Sequence, residues 1–88
     1  MPQVRMYCTR ICSYCQMATR LLEKKGIAFE KIYVDNLPER RVEMVKLTGR
    51  MTVPQIFIGD THVGGYHELA RLDLAGGLDD LAQPAQSS

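Results

Sequence analysis

Two cysteines two residues apart, Cys12 and Cys15, are the side chains of this sequence best suited to do chemistry. They stand in Cys12-Ser13-Tyr14-Cys15, and the spacing admits three uses: metal ligands, a structural disulfide, or a thiol pair that exchanges electrons with a substrate. A thiolate, not a thiol, attacks a disulfide, so the question is what lowers the pKa of one sulfur. The motif lies where a strand-like segment passes into an amphipathic one, which puts Cys12 at a helix start. There the unpaired amides of Tyr14 and Cys15 point at its sulfur, and the positive end of the helix dipole favours an anion. Arg10 is expected to add to that effect. The expected roles follow: Cys12, with a lowered pKa, is the nucleophile. Cys15, one turn in and more buried, is the resolving thiol.

Composition narrows the three uses. Eighty-eight residues make one small domain, and a hydrophobic fraction of 45% is ordinary for a globular chain. A net charge of +1 gives no footprint for nucleic acid. No run approaches the roughly 18 apolar residues of a membrane span, and residues 1–10 lack the apolar stretch of a secretory signal. The expected compartment is the cytoplasm, where disulfides are transient and catalytic. Three cysteines are also an odd number for a stapled framework. A zinc site would need four ligands, and Cys8, Cys12, Cys15, His62 and His67 offer no second Cys-x-x-Cys and no histidine pair at the expected distance from the cysteines. No metal is expected there. Gln16 stands where covalent haem attachment would need a histidine.

The elements that must position the pair can be read along the chain. Val4, Met6 and Cys8 alternate with Arg5 and Tyr7, which predicts a strand over 4–8. Met17, Ala18, Leu21 and Leu22 form one apolar stripe of a helix over 13–25, stopped by Gly26. Residues 29–34, rich in aromatic and β-branched side chains, predict a second strand parallel to the first. Pro38 opens a second helix with Val42, Val45, Met44 and Leu47 as its apolar side, up to Gly49. Residues 54–58 and 61–63 flank Gly59-Asp60 as a hairpin, and Gly64-Gly65 is expected to break the pairing. A third helix from Tyr66 or His67 should turn Leu69, Leu72 and Leu74 to the sheet before Gly76-Gly77. Residues 78–82 are expected to add a final turn. The domain is expected to span 1–82, with 83–88 a flexible polar tail. The order β-α-β-α-β-β-α packs most simply as an α/β fold, a four-stranded mixed sheet flanked by helices.

A Cys-x-x-Cys at a strand-to-helix junction of a β-α-β unit is a redox signature, and three blocks carry a closer likeness. CSYC at 12–15, GRMTVPQIFIGDTHVGG at 49–65 and LDLAGGLDDL at 72–81 resemble the glutaredoxin family, in its small bacterial dithiol form, over residues 4–81. The resemblance implies a thioredoxin-like fold and a glutathione-dependent thiol-disulfide oxidoreductase that reduces protein disulfides and glutathione mixed disulfides. It implies glutathione as cosubstrate, disulfide-containing or glutathionylated proteins as partners, and glutathione reductase as the indirect source of electrons. In the family the proline of Thr-Val-Pro is cis and faces the active cysteine, which implies glutathione contacts at Thr52, Val53 and Pro54. It likewise implies that Gly65 and the backbone of Tyr66 and His67 receive the γ-glutamyl carboxylate at a helix start, with Tyr14 flanking the site.

The sequence departs from the family at several points. Tyr66, His67 and then Glu68 stand where many members have a small residue followed by aspartate. Thr9 replaces a frequent lysine, leaving Arg10 and Arg41 as candidates to meet a glutathione carboxylate, or as solvated surface charges. Ser13 replaces a first-turn proline. In the superfamily such a change accompanies dimers that share a [2Fe-2S] cluster through the first cysteine and glutathione. A cluster-holding dimer with Cys12 as ligand is therefore the alternative reading, and a monomer is expected otherwise. A redoxin fed by a flavin-dependent thioredoxin reductase is a further alternative. Cys8 is expected to be a small strand residue, the other reading being an accessible, modifiable thiol.

Overall fold

The structure, a computed structural model, describes residues 3–81, so the domain boundary expected at 82 and the tail expected at 83–88 lie outside the described residues. Within them the order is β1 (Val4–Cys8), α1 (Ser13–Lys24), β2 (Glu30–Tyr33), α2 (Pro38–Thr48), β3 (Gln55–Ile58), β4 (Thr61–Gly64), α3 (Tyr66–Leu74) and a 3₁₀ turn at Asp79–Leu81. The strands lie side by side as β2-β1-β3-β4 in one mixed sheet. β1 runs parallel to β2 and antiparallel to β3, and β4 folds back antiparallel on β3. A helix crossover is what lets β1 and β2 run parallel, whereas β3 and β4 need only the Gly59-Asp60 turn. Both were legible as β-α-β unit and hairpin.

The two-residue period of β1 divides the core in two. Val4, Met6 and Cys8 pack with Ala18 and Leu22 of α1, Ile56 of β3 and Leu69 of α3. On the opposite face Tyr7 packs with Val34, Phe57 and Met44 of α2. Tyr7 meets Phe57 edge-on, with ring centroids 6.0 Å apart, and its hydroxyl donates to the Glu43 carboxylate of α2. That bond satisfies the polar end of a wholly buried ring. β1 is thus covered on both sides, which holds its C-terminal end, and the cysteine loop after it, to one place.

Helix geometry corrects three expectations about packing. In α2 it is Met44 that is buried, while Val42 and Leu47 are 54% and 52% exposed. Val42 lies about 200° around the helix from Met44, and only one side meets the sheet. In α3, Leu69 is buried but Leu74, about 140° away from it, is 87% exposed. Met17 likewise falls outside the buried Ala18 and Leu22 side of α1 and is exposed. The hairpin also runs one residue further than expected. Gly64 pairs with Ile56 across an irregularity between Ile56 and Phe57, so the break comes at Gly65. Pro54, which has no amide to give a ladder, stands just before β3 instead of within it.

Removing the Met44 side chain should leave a cavity under α2, so Met44→Ala is expected to cost about 2–5 kcal/mol. Val42→Ser, on the opposite side, should change stability by less than about 0.5 kcal/mol. Urea unfolding followed by circular dichroism checks both, and comparable losses would show that Val42 is packed.

Candidate functional site

The cysteine motif forms the helix start that its sequence predicts. Cys12 is the N-cap of α1, extended at φ −160° and ψ 113°. Its Sγ accepts a hydrogen bond from the Cys15 amide at 3.3 Å, and its carbonyl accepts the Gln16 amide at 3.1 Å. A sulfur here fills the role that a serine or aspartate oxygen usually fills at a cap. The Cys12 thiol in turn donates to the Val53 carbonyl at 3.8 Å. Cys15, one residue into the buried side of α1, is 4% exposed, while Cys12 is half-buried. Both are free thiols.

The balance of charge around Cys12 overturns one expectation. Burial pushes its thiol above the ordinary cysteine value, and the Cys15 thiol against it adds to the rise. The amides of Cys15 and Tyr14 pull the other way and do not win. Arg10 gives no help, because it faces elsewhere: its guanidinium pairs with Asp35 at 3.1 Å and lies 4.8 Å over the Tyr33 ring. The expected lowering at Cys12 is therefore absent in the resting dithiol. The order of the pair survives, since the Cys8 thiol and burial push Cys15 far higher still.

Beside Cys12 runs an open groove of about 290 Å³. One wall is the 52–54 segment, in which the Val53-Pro54 bond is cis, as the family resemblance implied. The other is the start of α3. Gln55, the one buried polar side chain among the described residues, ties the first wall down. Its amide nitrogen donates to the Thr52 carbonyl at 3.1 Å and the Thr52 hydroxyl at 3.2 Å, and its oxygen meets His62 Nε2 at 2.7 Å. Burial, with Arg50 adding to it, holds the His62 pKa below the usual histidine value. A neutral ring that donates from Nε2 completes this chain of bonds.

At the second wall Gly65 caps α3, and the Glu68 carboxylate turns back to accept the Gly65 amide at 2.7 Å. That bond holds Glu68 below the usual carboxylate range. Gly64 makes the turn possible: its φ is +120°, and a Cβ there would come within 2.9 Å of the Glu68 oxygen. The amides of Tyr66 and His67 occupy the first helical positions, where no carbonyl within the helix can reach them. The two side chains that depart from the family pattern join Tyr14. The Tyr14 and Tyr66 rings stack at 6.3 Å and 28°, and His67 sits 5.3 Å from Tyr14.

Of the residues singled out in the sequence, the groove gathers Tyr14, Thr52, Val53, Pro54, Gly65, Tyr66 and His67 next to the cysteine pair. It does not gather Arg10 or Arg41. Arg41 donates to the Met51 carbonyl at 3.4 Å and borders a separate apolar surface with Val42 and Val45. The cation that does line the groove is Arg50, 3.9 Å from Glu68. Arg50, Gln55 and Glu68 were missed as site residues. The first two lie inside the 49–65 block, where flanking Thr-Val-Pro could have flagged them. Cys8 is buried in the core, so the accessible-thiol reading is excluded for the folded chain. Among the described residues no three of His, Cys, Asp and Glu gather as metal ligands would, and no helix is long and apolar enough to cross a membrane.

Comparison with known proteins gives the family and the fold of this chain. The family model described as Glutaredoxin matches residues 4–63. A glutaredoxin of Neisseria meningitidis serogroup B is 51% identical over 85 residues, covering 96% of this chain and 100% of that one. Glutaredoxin 3 of Escherichia coli strain K12 is 46% identical over 81 residues, covering 92% and 98% of the two chains. The solution structure of a glutaredoxin from Brucella melitensis superposes with a TM-score of 0.80 at 44% identity, covering 97% and 92%.

The charge balance at the cap predicts an alkylation pattern for the reduced chain. Iodoacetamide should modify Cys12 well before Cys8 and Cys15, with a pH midpoint above the ~8.5 of a free cysteine. Cys15→Ala removes the neighbouring thiol but keeps the capping amide, so it should lower that midpoint. A wild-type midpoint below the free value would mean that the helix amides outweigh burial.

Proposed function

Because this chain belongs to the glutaredoxin family, and so is a thiol-disulfide oxidoreductase, we propose that it uses glutathione as cosubstrate and works through the Cys12 and Cys15 pair. The observation that supports this most directly is the position of the Cys12 sulfur against the Val53 carbonyl at the head of a groove whose far wall is a helix start. An extended peptide lying along Val53 would bring its own sulfur to Cys12. Glutathione is such a peptide, with two carboxylates and an ammonium group. The Tyr66 and His67 amides offer donors to a carboxylate, Arg50 offers a positive charge, and Glu68 offers an acceptor to the ammonium. Tyr14 flanks the peptide, stacked on Tyr66.

The chemistry then runs in two exchanges. The Cys12 thiolate attacks the glutathione sulfur of a glutathionylated protein; the new disulfide forms as the old one breaks, and the protein leaves as a thiolate that takes up a proton. A second glutathione, or Cys15, next attacks the mixed disulfide. With Cys15 the products are free glutathione and a Cys12–Cys15 disulfide, which glutathione reduces in turn. A raised Cys12 pKa slows this without preventing it. Each unit removes tenfold of the thiolate but makes the remainder more nucleophilic, for a net loss of roughly threefold. Burial of Cys15 keeps it a thiol until Cys12 has reacted, which protects the order of events.

The cluster-holding alternative would draw on Cys12 alone from this chain, because Cys15 and Cys8 are buried, and its remaining ligands would have to come from outside it. No step above depends on it. A monomer in the cytoplasm, with glutathione reductase and NADPH returning electrons to glutathione, completes the reading.

The test is turnover of a small glutathione mixed disulfide with glutathione, glutathione reductase and NADPH. Cys12→Ser should abolish turnover, while Cys15→Ser keeps a substantial share of it by the two-glutathione route. Turnover fed only by a flavin-dependent thioredoxin reductase would overturn glutathione dependence. In the same assay Arg50→Ala should raise KM for the glutathione substrate roughly 3- to 10-fold, because a half-exposed charge is lost. Its kcat should hold, since Arg50 does not touch the sulfurs; a fall in kcat with KM unchanged would place it elsewhere.

A further inference from the structure

Residues 52–54 form the wall that meets the Cys12 sulfur, yet they lie outside helix and strand. Among the described residues no turn or loop hydrogen bond between backbone groups ties them down. One side chain does so instead. Gln55, 1% exposed, uses both amide hydrogens on Thr52, one on its carbonyl at 3.1 Å and one on its hydroxyl at 3.2 Å. Its oxygen is then left facing His62, whose Nε2 lies 2.7 Å away. The amide cannot turn over without setting its oxygen against the Thr52 carbonyl, so His62 is the donor in that bond. The ladder explains the meeting. His62 of β4 stands opposite Phe57, and Gln55 is two residues earlier on the same face of β3. A diagonal of that kind is within reach of a long side chain, and the Phe57 ring, 5.1 Å away, packs against the His62 ring. His62 does not line the groove. What it holds is the amide that holds the groove's wall.

Resting on the reading that glutathione lies along Val53, we infer that His62 is a positioning residue for this site. Its bond to Gln55 fixes the amide that fixes Thr52, and so aims the Val53 backbone at the peptide. Loss of that donor would leave the Gln55 oxygen buried without a partner, a cost that is relieved when the amide swings away from Thr52. Thr52 would then be released, and Val53 with it. The effect should fall on the capture of glutathione and not on the sulfur, because Cys12 keeps its bond from the Cys15 amide.

Glutathione-coupled turnover of a small glutathione mixed disulfide by the full chain tests this. His62→Leu removes the donor without adding bulk, and should raise KM roughly 3- to 10-fold while kcat stays within about twofold. His62→Gln, whose amide nitrogen reaches about as far as Nε2, should recover most of that loss. Gln55→Leu should show a similar rise in KM. Adding His62→Leu to it should change KM by less than about twofold, since the link is already gone. A residue that merely stabilised β4 would add its own loss on the Gln55→Leu background and gain nothing from glutamine. The inference is overturned by an unchanged KM in His62→Leu, by His62→Gln as poor as His62→Leu, or by a double variant worse than Gln55→Leu by the full factor. Should His62→Leu fail to fold by circular dichroism, the two chains lacking Gln55 decide, because they leave no buried oxygen unpaired; a double variant that also fails to fold overturns the inference. Absence of turnover in the wild-type chain would overturn glutathione dependence itself.

Discussion

The site depends on one hydrogen bond, the Cys15 amide to the Cys12 sulfur at the first turn of α1. An amide there has no carbonyl to bond within the helix, and the sulfur that satisfies it is held at a fixed point as a result. The same bond sets where α1 begins, and thereby puts Cys15 on its buried side and Tyr14 on its exposed side. The Val53 carbonyl closes the other flank of the sulfur, so strand β1, helix α1 and the 52–54 segment converge on a single atom. The sheet order explains why they can. β1 lies between β2 and β3, and both the cysteine loop and the segment before β3 emerge at the same end of neighbouring antiparallel strands.

The two forces on that sulfur oppose each other, and their balance is informative. Amides at a helix start favour an anion, yet packing Cys12 against the core and against Cys15 removes it from water. Burial prevails in the reduced pair. What the amides still do is lower the cost of expelling Cys12 from a disulfide, since the same bonds stabilise it as a departing thiolate. For a protein that must both attack and be released, a sulfur of intermediate acidity loses little in either direction. The steeper contrast is with Cys15, which the Cys8 thiol and burial keep protonated. Selectivity between the two cysteines thus comes from depth in the core more than from the helix dipole.

Much of this architecture was written in local pattern. Alternation in 4–8, the stripe through Ala18 and Leu22, the Gly59-Asp60 turn and the Cys-x-x-Cys junction each depend on neighbours along the chain, and each formed as read. What stayed illegible depends on which side of an element meets another. Val42 and Leu74 are as apolar as Met44 and Leu69, and only the direction of the sheet tells them apart. The same holds for the arginines. Arg10 stands beside the motif in sequence but is drawn off by Asp35, 25 residues away, while Arg50 reaches the groove because α2 ends at Gly49, in a left-handed conformation that turns the chain back. Gln55 hid for a different reason: a lone polar residue in a strand gives no period, and its value lies in bonds to Thr52 and His62.

The start of α3 departs from the family pattern in its side chains while keeping the backbone donors of a helix start. Glu68 takes the Gly65 amide, which removes one donor from this helix end and places a negative charge beside it. A simple anion would be repelled there. Arg50, 3.9 Å from the same carboxylate, restores part of the balance, so the wall carries one charge of each sign beside the free amides of Tyr66 and His67. A ligand end that itself bears an ammonium and a carboxylate on one carbon meets this wall better than a phosphate or a plain carboxylate does. The γ-glutamyl end of glutathione has that chemistry. The aromatic side chains of Tyr66 and His67 then cost the site nothing in donors, because it is their backbone, not their rings, that the ligand would use, and the rings are engaged with Tyr14.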